Sequence, residues 1–324
     1  MPEGNLFVPI QAVLTIGMIT SLTCLIVRLL VRRRLGNRLY PEDVCLILSW
    51  IVCISTQVSI LYASHHAGLG THVQELSTEK VNLYEKLFLA AACLFIMGLY
   101  LARTAHLIFL NRILNGKRYM RYAWYVTTAF ITAGSAVVIL LFIFACRPVV
   151  SSWDVSVPGE CISRPAIFIA VAVLNICSDI LLVLLPLPLI YTIPVPGSEK
   201  VKFIILSVMV CMTFIASAIR LHITIPLLDS DDLTYDIAPL ALLVGIEANL
   251  IIIAACLPAV RQCFRLAVAA RTVSTGGWLE PRIDCANAES FYQINVIICV
   301  VWHVKLVLSK DRTPTTLKSF FMVI

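Results

Sequence analysis

Apolar residues in this chain fall into seven long blocks separated by short polar stretches. Charges are nearly absent over residues 8–31, 43–64, 87–110, 122–145, 165–191, 203–225 and 237–260. Each block reaches the roughly 20 residues that a helix needs to cross a hydrocarbon layer of about 30 Å. The pattern predicts an all-α fold, a bundle of seven transmembrane helices.

The polar positions between the blocks give the orientation. Residues 1–7 carry no basic side chain, whereas Arg32, Arg33, Arg34 and Arg38 follow the first block. A secretory signal would show the opposite charge order and a shorter core. The first block is therefore expected to be an uncleaved span with its N-terminus outside. Arg112, Lys117, Arg118, Lys200, Arg261, Arg265 and Arg271 then fall on the same side as Arg32–Arg34. The opposite loops hold few cations (Lys80, Lys86, Arg147, Arg164) and most loop carboxylates, including Asp229, Asp231, Asp232 and Asp236. That asymmetry is the positive-inside pattern, and it places the C-terminus in the cytosol.

Composition agrees. Of 324 residues, 60% are apolar and 14% charged, with a mean hydropathy of +0.91. A soluble domain carries about 25% charged residues, so this chain has too little polar surface to coat itself in water. The net charge of +6 follows from topology and implies no nucleic-acid partner. Lipid is the expected surroundings.

Residues 1–271 make the expected membrane domain, and 272–324 a cytosolic or interfacial tail, partly disordered. The 272–289 stretch reads as a polar linker. Residues 291–308 are apolar again but include His303 and Lys305, which favours an interfacial segment over an eighth span. No internal repeat and no soluble second domain is visible.

Most of the twelve cysteines lie inside expected spans, where a thiol is an ordinary apolar residue. Cys146 and Cys161 instead bracket an expected outer loop, in a compartment where disulfides persist. Either they form a bridge or they remain two free thiols. A bridge closing such a loop would contribute about 3 kcal/mol on the chain-entropy model. No Cys-x-x-Cys pair suggests a zinc or redox site.

The charges within the apolar blocks are the candidate functional residues, because an ionisable group at membrane depth is expensive and normally has a partner inside the bundle. Counting 1.5 Å per residue from the outer end of each span, Asp179 lies roughly 21 Å deep and Arg103 roughly 25 Å. Glu247 and Arg220 lie roughly 15 Å and 9 Å deep. Depth thus pairs Arg103 with Asp179 and Arg220 with Glu247. Asn175 sits one turn from Asp179 on the same face, and Asn249 adds an amide. The expectation is a polar cluster joining the third, fifth, sixth and seventh spans. It serves either as a lock on helix register or as a polar ligand site or switch.

Other features carry less. His65, His66 and His72 lack a carboxylate or cysteine at ligand spacing, so no metal is expected. There is no phosphate-binding glycine loop, serine elbow or His-Glu-x-x-His run, and no catalytic residue is assigned. Trp50, Trp124, Trp153 and Tyr191 read as interface anchors. No Asn-x-Ser/Thr sequon occurs, so N-glycosylation is not expected. Pro186 and Pro188 end or kink the fifth span.

Several motifs in order resemble the fungal rhodopsin-domain family of seven-span membrane proteins. They are Pro41-Glu42-Asp43 opening the second span, Cys146-Arg147-Pro148 with Trp153 and Cys161, and Asn175-x-x-x-Asp179 with Pro186-x-Pro188. Ala218-Ile219-Arg220-Leu221, Glu247-Ala248-Asn249 and Cys256-Leu257-Pro258 complete the set. One departure is Arg103-Thr104, where the family carries a lysine in a Lys-x-Ser-like stretch. Only a few residues precede the first span, so the extracellular cysteine-rich module of some receptor-like relatives is not expected there.

The family name suggests retinal, and the residues argue against it. A Schiff base needs a desolvated lysine inside the bundle. The seventh span has no lysine, and Lys86 stands only at the outer edge of the third. No cofactor is expected. The resemblance implies an accessory membrane component of a secondary-metabolite pathway or, alternatively, a receptor-like sensor with a small-molecule ligand and a cytosolic signalling partner. An intramembrane enzyme using Asp179 or Glu247 has no matching nucleophile. With no retention signal at the C-terminus, the plasma membrane is the expected location.

Overall fold

The structure, a computed structural model, describes residues 7–34, 39–69, 77–113, 118–185, 197–229 and 237–274. They form an all-α bundle: α1 (Phe7–Arg34), α2 (Pro41–His66), α3 (Thr78–Ile113), α4 (Arg118–Ile143), α5 (Arg164–Leu184), α6 (Gly197–Thr224) and α7 (Ala238–Ser274). Between α4 and α5 lies a two-stranded antiparallel pair, β1 (Cys146–Arg147) and β2 (Glu160–Cys161), with Cys146 opposite Cys161. The chain divides into two compact units, Met1–Cys263 and Phe264–Ile324. The packed bundle and its polar assemblies belong to the first.

Six helices are long and apolar enough to cross a membrane, over Gln11–Arg34, Pro41–His66, Thr78–Arg112, Arg118–Ile143, Arg164–Leu184 and Ala238–Leu257. A seventh apolar stretch, Cys211–Leu227, is shorter among the described residues. The surface is that of a membrane protein. Helix α1 turns Ile16, Ile19, Ile26 and Leu30 outward, and α4 turns out Tyr122, Val126, Val137 and Leu140. In water so continuous an apolar exterior would aggregate; in lipid it is the solvated face.

Neighbours in sequence pack as neighbours in space from α1 to α5, and α5 packs on α6. Helix α7 is the enclosed element, with 78% of its apolar window buried against 22% for α4. Small residues let it approach: a side chain added at Gly17 on α1 would meet the Asn249 amide, and one at Gly245 would meet Leu14 and Gln57. Without a hydrophobic force between helices in lipid, such close backbone approach is a main source of packing energy.

Local signals explain the helix starts. Pro41 opens α2 at a position where its missing N–H costs nothing. Asp43 accepts the Tyr40 amide hydrogen at 3.3 Å, closing the first turn. Helix α3 begins at Thr78, well before the expected 87, despite Lys80, Glu85 and Lys86. Glu85 Oε1 accepts there from Arg164, at the head of α5, at 2.7 Å, so the charged turn is tied into the bundle. Helix α7 continues through Ser274, past the expected end of its span at 260. Lys117, Pro186, Pro188, Tyr191, His72 and the 275–324 tail lie outside the described residues.

Candidate functional site

The bundle has two ends that chemistry distinguishes: one marked by Tyr40 and the other by Cys146. Four polar assemblies run between them.

At the Cys146 end, Cys146 and Cys161 are joined by a disulfide. Asn82 on α3 reaches the loop inside that bridge, donating to Asp154 at 3.3 Å and accepting the Val155 amide hydrogen at 3.0 Å. The Asp154 carboxyl is held below the usual carboxylate range, first by the Ser156 backbone N–H (3.0 Å) and then by the Ser156 hydroxyl and Asn82.

Deeper lies the first buried pair. Arg103 on α3 donates to the Asn175 side-chain oxygen at 2.8 Å and to Asp179 at 3.0 Å, both on α5. Asn175 and Asp179 share a face because they are four residues apart. A cavity of about 20 Å³ adjoins Arg103, Asn175, Ser135 and Ser178.

The second buried pair joins α6 to α7. Arg220 Nε stands 3.0 Å from Glu247 Oε2. Ser217, one turn before Arg220, donates to Glu247 Oε1 at 3.0 Å. The guanidinium also lies 5.5 Å from the centre of the Phe95 ring, within cation–π range. Both charged residues are 2% exposed. Yet among the described residues Arg220 Nη2 and Glu247 Oε2 are buried with no hydrogen-bond partner, and the Nε contact lacks hydrogen-bond alignment.

Arg220 lines a cavity larger than the one beside Arg103. It holds about 80 Å³ of interior space and is open at its mouth; the atom-free space including the solvent there is about 700 Å³. Its wall is mainly apolar and comes from α2, α3, α4, α5, α6 and α7, with Ile60, Phe88, Phe95, Phe142, Phe168 and Leu240 prominent and Thr56, Ser59 and Tyr84, besides Arg220, as its polar members. Phe168 meets Phe88 edge-on at 5.6 Å and Phe142 at 5.9 Å, giving that wall a fixed aromatic shape.

Asn249 does not join the Arg220–Glu247 pair. It accepts from Ser21 on α1 at 2.9 Å and donates to Gln57 on α2 at 3.0 Å. Its amide thus ties α7 to α1 and α2. The expected single cluster is three assemblies: Arg103–Asn175–Asp179, Arg220–Glu247 with Ser217, and Asn249 with Ser21 and Gln57.

The fourth assembly, near Tyr40, is one that depth counting does not single out. Arg28 on α1 lies 2.7 Å from Asp43 and donates to the Ala255 carbonyl on α7. Arg32 and Arg112 both reach Glu42, at 3.1 and 3.3 Å. Both guanidinium groups lie over the Tyr40 ring, at 4.8 and 3.5 Å. Its signal in the chain is Arg28 inside an apolar block, four residues before Arg32 and facing an acidic pair.

His65 and His66 end α2, with His66 against Tyr62 at 4.6 Å. Among the described residues no group of three metal-ligating side chains gathers.

The fungal rhodopsin domain profile matches residues 27–266. A SAT4 family membrane protein of Emericella nidulans is 26% identical over 218 residues, 65% of this chain and 54% of the relative. The fugralins biosynthesis cluster protein 2 of Gibberella zeae is 24% identical over 135 residues, 41% of this chain and 33% of the relative. The chain thus spans about half the length of one curated relative and a third of the other. No solved structure matches.

Proposed function

Because the chain belongs to the fungal rhodopsin domain family, we propose that it is an accessory membrane component of a secondary-metabolite biosynthetic pathway that binds an apolar small molecule inside a seven-span bundle. The observation that carries this reading is the aromatic-walled cavity in the Cys146 half of the bundle, with a buried arginine in its wall. A relative named for the fugralins biosynthesis cluster supports the pathway.

In this reading α6 is the remaining span, its N-terminal half completing what Cys211–Leu227 begins. The positive-inside pattern puts the Cys146 end and the N-terminus outside, and the Tyr40 end and the C-terminus in the cytosol. The plasma membrane is the assigned location.

A receptor-like sensor is the second reading, favoured by one observation. Helix α7 carries Glu247 beside the cavity and, two turns on, the Ala255 carbonyl held by Arg28 in the Tyr40 assembly. Displacement of α7 by a ligand would disturb both ends, and the basic Tyr40 side would face a cytosolic signalling partner.

Comparing metabolite extracts of the native strain and a clean deletion separates the two. Loss of one product with its precursor accumulating is the expected outcome. Unchanged metabolites, or whole families falling together with their transcripts, would favour the sensor.

A further inference from the structure

The chemistry of the cavity narrows what it takes. A guanidinium offers five N–H donors in a planar fork and stays charged at any physiological pH. Arg220 spends little of that capacity. Glu247 touches its Nε side, Phe95 stands within cation–π range, and Nη2 is buried without an acceptor among the described residues. A buried donor left without a partner is costly, more so when charged. Apart from Thr56, Ser59 and Tyr84, the rest of this wall is apolar. One permanent cation with an unpartnered Nη2, set in the wall of a mainly apolar pocket, is complementary to a molecule with one anionic end and an apolar body.

Resting on the reading that the cavity binds a small molecule, we propose that its ligand is an apolar monocarboxylic acid, aryl or short alkyl, whose carboxylate accepts from the free edge of Arg220 while its body lies among Phe88, Phe95, Phe142 and Phe168. Glu247 is then the internal competitor for the same guanidinium. It keeps the cavity's charge balanced when empty and makes anion binding reversible. A bidentate Arg–carboxylate contact in a low-dielectric pocket is among the stronger polar interactions available. An uncharged isostere forfeits it.

The test uses the full chain in lipid nanodiscs, with 2-naphthoate as the acid and 2-naphthamide as its neutral counterpart. Binding is read by equilibrium dialysis and by the shift of the thermal unfolding midpoint. The acid is expected to bind at least about tenfold more tightly than the amide, since hydrogen bonds to a charged group are at stake. Arg220→Gln should abolish the preference. Glu247→Gln, which removes the competitor and keeps the cation, should tighten acid binding by about tenfold and leave the amide unchanged. Ala241→Phe, filling the cavity without touching a charge, should abolish binding of both.

Equal binding of acid and amide that Ala241→Phe removes would overturn the acid proposal and leave the ligand cavity standing. Binding of neither, or binding that Ala241→Phe does not affect, would overturn both. Should Arg220→Gln fail to fold, Glu247→Gln decides alone: unchanged or weaker acid binding overturns the proposal.

Discussion

Arg103 on α3 joins two residues of α5 with one guanidinium, 2.8 Å from the Asn175 amide oxygen and 3.0 Å from the Asp179 carboxylate. All three are at least nine-tenths buried. The pair cannot be judged by its Coulomb attraction alone, because both ions have left water and that cost offsets much of the gain.

The two partners respond unequally to losing each other. An orphaned carboxylate can take up a proton and become neutral; an orphaned guanidinium cannot. Asp179→Asn therefore strands a buried cation, and the expected loss is about 3–5 kcal/mol. Arg103→Met leaves a carboxyl free to neutralise itself and should cost clearly less. The double variant should be no worse than Arg103→Met. Thermal unfolding of the four proteins in one lipid environment gives the comparison, and equal losses for the two single variants would contradict it.

The loop within the disulfide should respond to acid through Asp154. Its carboxyl sits below the ordinary range because the Ser156 backbone N–H, the Ser156 hydroxyl and Asn82 bind the charged form. A group depressed in the folded state contributes fully above its unfolded pKa, and the contribution disappears as pH falls through the folded value. Loop order should therefore hold at neutral pH and decline below about pH 4, the ordinary aspartate range. Asp154→Asn should flatten that decline. Hydrogen-exchange protection of residues 154–157, corrected for intrinsic rates, reads it directly; an identical acid limb in the variant would refute the assignment.

Much of this architecture is legible in the chain. Apolar blocks announce the helices because a bilayer demands continuous apolar length and little else. Depth counting sets Arg103 level with Asp179 and Arg220 near Glu247, since a helix converts sequence position to height at a fixed rate, and the structure places each pair in contact. Rotation about the helix axis is what counting does not supply. Height alone assigns Asn249 to the charged cluster, whereas its side chain turns to Ser21 and Gln57. Gln57 stands in an apolar block with no charge near it, so counting buried charges passes over it. The early start of α3 escapes for the opposite reason. Lys80, Glu85 and Lys86 read as loop until Arg164, far along the chain, supplies the partner for Glu85. The cavity depends on how six helices' side chains fail to fill a space, and no linear pattern encodes that.

The closeness of α7 to α1 gives the last prediction. Gly245 faces Leu14 so tightly that an added Cβ would overlap the leucine side chain, and both residues lie away from the ion pairs. Gly245→Ala must push Leu14 aside in a packed interior, an overpacking that typically costs about 1–3 kcal/mol. Leu14→Ala alone opens a hole and costs about 2–5 kcal/mol. Combined, each change relieves the other: the extra methyl enters the space the leucine vacates. The double variant should be more stable than the sum of the two losses implies by at least about 1 kcal/mol, the coupling expected of residues in direct contact. A double-mutant cycle on the unfolding midpoint in nanodiscs measures it. Strict additivity would mean that α1 and α7 do not meet at this point, and with it the seat of Asn249 beside Gly17 would be in question.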